Sequence, residues 1–141
     1  MSNNIILLAA RVLLAAVFIM AGLSKFSDPA STTGMIAGAG LPMANVLTYV
    51  AAIYETLAGI AILVGFQTKL VSYTLALFCV FTGFVFHGGP INMPSFSPEA
   101  NGMLTMFNQI MMMKNITIAG GFLALSVAGA GGWSVDARRA A

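Results

Sequence analysis

Charge is scarce in this sequence: its 141 residues include six lysines and arginines, four aspartates and glutamates, and one histidine. Charged residues make up 7% of the chain, whereas an average soluble domain has roughly 25%. Hydrophobic residues reach 59%, which leaves too few polar side chains to cover a soluble fold of this size. The composition therefore predicts an integral membrane protein. A net charge of +2, with no basic cluster beyond Arg138 and Arg139, argues against a nucleic-acid partner.

Cysteine and histidine are equally scarce. Cys79 is the single cysteine, which excludes an intramolecular disulfide and a CxxC redox pair, so we expect it to pack as a small apolar residue. His87 is the single histidine and cannot supply both ligands of a bis-histidine haem. No flavin, haem, iron–sulfur or nucleotide motif is evident, and we predict no metal site. A quinone held between helices stays open, as does a weaker alternative in which loop methionines and His87 bind Cu(I).

Four apolar segments are long enough to cross a bilayer as helices, which takes about 20 residues. They cover approximately Asn4–Leu23, Asn45–Phe66, Leu70–Phe86 and Ile116–Ala130. A signal peptide would avoid a charge such as Arg11 in its apolar region, so we interpret the first segment as a retained helix. The predicted fold is an all-α membrane protein, a four-transmembrane-helix bundle in one domain over residues 1–141.

The connections between the segments differ in length. The turn Gln67-Thr68-Lys69 is tight and predicts that the second and third spans are antiparallel neighbours. In the first loop, Asp28-Pro29 resembles a helix start and predicts a short interfacial helix. The third loop, from His87 to Met113, has turn residues followed by methionines at helical spacing, which predicts an amphipathic interfacial helix before the fourth span.

Basic residues flanking the spans predict the orientation. With four spans both termini lie on one side, together with Lys69, Arg138 and Arg139, whereas Lys25 and Lys114 lie on the other. Three basic residues against two favour termini in the cytoplasm.

Arg11 and Glu55 are charges within apolar segments, where an unpaired charge costs roughly 2.5–3.5 kcal/mol on insertion scales. Similar depths, counted from the ends of their spans, predict that the two residues pair. We interpret the pair as a structural salt bridge that fixes helix register, with a proton or quinone-head-group site beside Glu55 as the functional alternative.

Three basic side chains end spans on the outer side. Lys25 ends the first, His87 ends the third, and Lys114 precedes the fourth. Their positions suit either interfacial snorkelling or a site for an anion or a quinone carbonyl.

Several motifs in this order resemble the DoxX family of small four-helix bacterial and archaeal membrane proteins. They are Arg11, the run from Phe18 to Lys25, Gly40-Leu41-Pro42, Glu55 with Gly59, Gly65 with Thr68-Lys69, Lys114-Asn115, Gly120-Gly121 and Ser134-Val135-Asp136. The resemblance implies a multi-pass protein of a prokaryotic cytoplasmic membrane. It also implies association with oxidoreductase complexes, including thiosulfate:quinone and terminal quinol oxidase assemblies.

The sequence hypothesis is an integral membrane subunit of a respiratory or other quinone-linked redox complex, enzymatic only as part of that complex. Its partners would be the lipid bilayer and either other membrane subunits or further copies of the chain. The alternatives are a purely structural accessory subunit and a carrier of ions or small molecules.

Overall fold

The computed structural model describes residues 2–140 and contains six helices in that range. They are α1 (Ser2–Ser27), α2 (Pro29–Gly38), α3 (Ala44–Val64), α4 (Thr68–His87), α5 (Pro98–Ala128) and α6 (Val135–Arg139). Within the described residues, α1, α3, α4 and α5 are long and apolar enough to cross a membrane. The predicted four-helix membrane fold is confirmed. The single-domain boundary of 1–141 stays a prediction, because Met1 and Ala141 lie outside the described residues.

The four long helices pack as two antiparallel pairs, α1 with α3 and α4 with α5. Small residues permit the close approach in the first pair: a Cβ on Gly22 of α1 would lie 2.8 Å from the carbonyl oxygen of Ala52 in α3. The turn between α3 and α4 makes them antiparallel as predicted, but these helices have few contacts. Each of these helices packs closely against its own partner, so contact between the two pairs is limited.

The bundle is closely packed only from its middle towards the end that carries both termini, which we call the inner end. The buried core there consists of Ala15, Phe18, Ala58, Ile62, Leu75, Ala76, Cys79, Ala119, Phe122 and Leu125. The rings of Phe18 and Phe122 pack edge to face, with their centroids 5.3 Å apart. This contact joins the two helix pairs, and buried Cys79 packs within the same cluster as expected.

The predicted short helix in the first loop is α2. Asp28 accepts a hydrogen bond from the Ser31 backbone N–H at 3.2 Å, and Pro29 occupies the first helical position. The hydroxyls of Thr33 and Thr48 lie 2.9 Å apart and hold α2 against α3. The helix therefore covers the outer end of the α1–α3 pair.

The amphipathic helix predicted in the third loop is present, with Ser97 as its N-cap, and it is continuous with the fourth span. No proline or other strong breaker interrupts the chain between Pro98 and Ala128, so α5 extends over 31 residues. At about 1.5 Å per residue its length is roughly 46 Å, whereas the hydrocarbon core is about 30 Å thick. The remaining loop folds back onto the outer half of α5, where Asn101, Thr105 and Asn108 bind its backbone.

The predicted orientation can be tested by labelling on a Cys79→Ser background. Asn92→Cys lies in the outer loop and Ala140→Cys follows α6, so the two thiols should react from opposite sides of the membrane. We expect a membrane-impermeant maleimide to label only Asn92→Cys in intact cells, and both sites after permeabilisation. Labelling of Ala140→Cys alone in intact cells would invert the orientation.

Candidate functional site

An ion pair lies inside the outer half of the bundle, between Lys25 of α1 and Glu55 of α3. The Lys25 Nζ atom is 2.6 Å from the Glu55 Oε2 atom, and the exposed fractions of the two side chains are 21% and 7%. Lys25 also lies 3.4 Å from the carbonyl oxygen of Ala21. The buried carboxylate of Glu55 is thus neutralised by the residue at the outer end of α1.

This pairing corrects the prediction that Glu55 pairs with Arg11. In the register of the antiparallel α1–α3 pair, Gly22 lies against Ala52 and Thr56, whereas Arg11 lies against Gly65 just beyond α3. Arg11 and Lys25 are 14 residues apart, a rise of about 21 Å along α1. Arg11 and Glu55 lie at different levels because α1 extends beyond the inner end of α3, so depths counted from the two helix ends do not share an origin.

A cavity of about 700 Å³ lies between the two helix pairs and contains the Lys25–Glu55 pair in its wall. All four long helices, together with α2 and the segment that follows it, contribute to its lining. Most of that lining is apolar, and its aromatic members are Phe18, Tyr54, Phe78, Phe81 and Phe86. The limited contact between the pairs therefore leaves an aromatic cavity with one ion pair in its wall.

His87 is the second chemically distinctive residue of the cavity. Its Nδ1 atom lies 2.7 Å from the Oδ1 atom of Asn108, whose Nδ2 atom donates to the carbonyl oxygen of Gly89. Because the amide is oriented by Gly89, Oδ1 is the acceptor and His87 donates through Nδ1. A neutral His87 consequently keeps Nε2 as an acceptor.

The structure brings together two of the three outer basic residues. Lys25 and His87 both line the cavity, whereas Lys114 does not. Lys114 is exposed, with its Nζ atom 3.9 Å from the Met111 sulfur on the same helix. The neighbouring Asn115 lines the cavity instead, because one residue along a helix turns a side chain by about 100°.

Arg11 belongs to a different structure, at the inner end of the bundle. It is 1% exposed and donates through Nη2 to the carbonyl oxygen of Trp133. The segment containing Trp133 and α6, residues 129–139, folds back over the inner ends of the long helices. We call this segment the C-terminal clasp. The Gly132 N–H also donates to Asn4 at 2.8 Å, so both ends of the described chain meet here.

Asp136 fixes the clasp to the start of α4. Its two carboxylate oxygens accept hydrogen bonds from the backbone N–H groups of Gln67 and Thr68, each at 2.8 Å. Its own N–H donates to the carbonyl oxygen of Gly65 at 2.8 Å. Partial burial favours the protonated acid, but the hydrogen bonds from Thr68 and Gln67 and the charge of Arg139 outweigh it and hold the pKa of Asp136 below its ordinary value.

Comparison with known proteins agrees with this architecture. A DoxX family model matches residues 6–88, the part of the chain from α1 to the end of α4. The chain belongs to the DoxX family. It is 36% identical over 129 residues to the inner membrane protein YqjF of Escherichia coli (strain K12), covering 92% of this chain and 88% of that one. It is 30% identical over 137 residues to the inner membrane protein YphA of the same organism, covering 97% and 92%.

No solved structure matches the chain. The relatives and the four apolar helices together identify this DoxX protein as a multi-pass inner-membrane protein. Within residues 2–140, no group of three His, Cys, Asp or Glu side chains is arranged to hold a metal ion.

Sequence reasoning missed the cavity residues Tyr54, Thr74, Thr82 and Asn115. Single polar residues in apolar helices carry no signal of which face they occupy. It also missed the role of Asp136. A signal was present there, because Ser134 begins a short helix and caps it by accepting from the Ala137 N–H at 3.1 Å.

The revised pairing predicts energetic coupling between Lys25 and Glu55. Lys25→Met strands a buried carboxylate and should lower the free energy of unfolding in detergent by roughly 3 kcal/mol. Adding Glu55→Gln should recover part of this loss, with a coupling energy of about 1–3 kcal/mol. As the control, the effects of Arg11→Met and Glu55→Gln should add within about 0.5 kcal/mol. Coupling of Glu55 to Arg11 rather than to Lys25 would contradict the structure.

The Asp136 clasp predicts a pH-dependent stability difference. Asp136→Asn has one acceptor for two N–H donors and should lower the free energy of unfolding by about 1–2 kcal/mol at pH 7. Because the pKa of Asp136 is lowered on folding, its stabilisation is complete above the ordinary value of about 4 and is lost below it. The difference from wild type should persist at pH 5 and shrink below roughly pH 4.

Asp28→Asn serves as the matched control for Asp136→Asn. Asp28 accepts only one backbone N–H, at the start of α2, and asparagine caps a helix about as well as aspartate. This variant should be close to wild type at every pH. An equal loss in both variants would mean that removing any acidic residue destabilises the protein.

Proposed function

We propose that this DoxX protein is a quinone-binding subunit of a membrane redox complex, with the head group of the quinone in the cavity between the helix pairs. The observation that carries the proposal is that the Lys25–Glu55 ion pair and His87 line the same largely apolar, aromatic-rich cavity. A volume of about 700 Å³ is within the usual range of roughly 300–1,000 Å³ for small-molecule sites.

The chemistry of the lining suits a flat, apolar ring with oxygen atoms at its edge. An ammonium has three donors, and Lys25 directs two of them towards Glu55 and the carbonyl oxygen of Ala21. The third is available to a quinone carbonyl. The second carboxylate oxygen of Glu55 and the Nε2 atom of His87 are acceptors suited to the hydroxyls of a quinol. Residues of this chain would therefore orient the ring and exchange protons at its oxygens.

In this proposal the electrons come from a cofactor carried by a partner chain. The protein then contributes the binding site and the proton partners, which accounts for a cavity with titratable groups in a sequence without a cofactor motif.

Binding of soluble quinone analogues to the purified protein tests the proposal. Decylubiquinone and a short-chain menaquinone analogue should each raise the melting temperature in detergent with a saturable dependence on concentration. Lys25→Met and Glu55→Gln should each weaken binding about tenfold, the loss of one charge-assisted hydrogen bond. Ala51→Phe adds a ring to the cavity wall while both charges of the ion pair stay in place, and it should abolish binding.

Lys114→Met is the matched control, because it removes a lysine from the same end of the bundle but outside the cavity. It should bind both analogues as the wild type does. Equal losses in Lys25→Met and Lys114→Met, or unchanged binding in Ala51→Phe, would show that the analogues partition into the micelle rather than bind the cavity.

A structural accessory subunit is the second candidate, favoured by the outer half of α5. Met103, Met106 and Phe107 are more than half exposed there, on the part of the helix that extends past the end of α4. Purification in mild detergent with wild-type α5 and with Met106→Glu/Phe107→Glu tests this function. Stable association with other chains that is lost in the double variant, together with no quinone binding, would favour the structural subunit.

A further inference from the structure

Four buried polar atoms at the inner end have no hydrogen-bond partner among the described residues. They are the Nε and Nη1 atoms of Arg11, the Thr68 hydroxyl and the Ser72 hydroxyl. All three side chains belong to residues that are at most 1% exposed. Buried polar groups are nearly always paired, so several unpaired donors in one region indicate a bound molecule or ion.

Arg11 and Thr68 lie at the turn between α3 and α4, and Ser72 lies on the adjoining part of α4. The Nη1 atom of Arg11 lies so close to Gly65 that a Cβ there would overlap it. Asp136 binds both the Gly65 carbonyl oxygen and the Thr68 N–H, which places Thr68 at the same corner. Ser72 follows Thr68 by four residues and so lies one turn farther along the same buried face of α4.

The buried guanidinium of Arg11 has no carboxylate within salt-bridge distance, because the one salt bridge among the described residues joins Lys25 to Glu55. Both carboxylate oxygens of Asp136 already accept backbone N–H groups, and the Trp133 carbonyl oxygen accepts from Arg11. The guanidinium of Arg11 can only donate. A water molecule would bring two further donors, whereas an anion accepts from every group present.

The local charge also favours an anion. The clasp and the adjoining turn carry three positive side chains, Lys69, Arg138 and Arg139, in addition to Arg11 of α1, but one negative side chain, Asp136. The phosphate of a lipid head group is too large to reach donors that are 1% exposed or less.

We propose that Arg11, Thr68 and Ser72 form a binding site for a small inorganic anion of the size of chloride, closed by the C-terminal clasp. The site is at the opposite end of the bundle from the quinone cavity and does not depend on the proposed function. A bound anion would complete the coordination of Arg11 and join α1 to α4 beneath the clasp.

Melting temperatures in sodium chloride and in sodium gluconate at equal ionic strength test this site. Chloride should raise the melting temperature by several degrees with a saturable dependence on concentration, and bromide should substitute for it. The variant Thr68→Val/Ser72→Ala removes two donors and should lose this response while keeping quinone binding. Thr48→Val is the control, because Thr48 is equally buried but already bonded to Ala44 and Thr33, and its response to chloride should be that of the wild type.

Two results would overturn the proposal. One is the same melting temperature in chloride and gluconate. The other is a Thr68→Val/Ser72→Ala variant that is at least as stable as the wild type in both salts, because removing truly unpaired buried hydroxyls should not be costly.

Discussion

Two cations on one face of α1 constrain the arrangement of the whole bundle. Arg11 and Lys25 both point into the protein about 21 Å apart, and a buried charge must be neutralised or hydrogen-bonded. Glu55 is the single acidic residue of α1, α3 and α4, so it can satisfy only one of them. The structure gives it to Lys25, and Arg11 is covered by the C-terminal clasp. The register of α1 against α3 thus provides a partner for Lys25, and the return of the C-terminal segment provides a hydrogen-bond acceptor for Arg11.

The division into a packed inner half and a hollow outer half follows from where large and small residues lie. The aromatic rings of Phe18 and Phe122 meet near the middle of the bundle and hold the helix pairs together there. Towards the outer end, the face of α3 that carries small residues packs against α1, and Gly83 lets α4 approach α5 closely. Both of these contacts are within a pair. Among the described residues, the ring contacts that join the two pairs all lie near the middle of the bundle and not at that end. The cavity is therefore a consequence of pairwise packing, with α2 and the outer loop covering the separate pairs.

The sequence was sufficient for the number of spans, the helix in the first loop and the burial of Arg11 and Glu55, because composition, capping residues and charge in apolar segments are local signals. It was insufficient for pairing. Lys25 and Arg11 lie on the same stripe of α1, and only the three-dimensional register shows that Lys25 is level with Glu55. The prediction for Lys114 was wrong for a similar reason, because Asn115 lines the cavity and Lys114 does not. The two differ by one position along α5, and the sequence does not show which of them faces the cavity.

The outer loop also determines part of the cavity. The side-chain amide of Asn108, on α5, accepts from the ring of His87 and donates to the Gly89 carbonyl oxygen. It therefore links the cavity wall to the backbone of the outer loop. The DoxX family model ends at residue 88, before this amide. The helices that carry Lys25 and Glu55 therefore belong to the matched part of the fold, while the residue that orients His87 does not. The Lys25–Glu55 pair is thus held by α1 and α3 alone, whereas the tautomer and orientation of His87 depend on α5 and the outer loop.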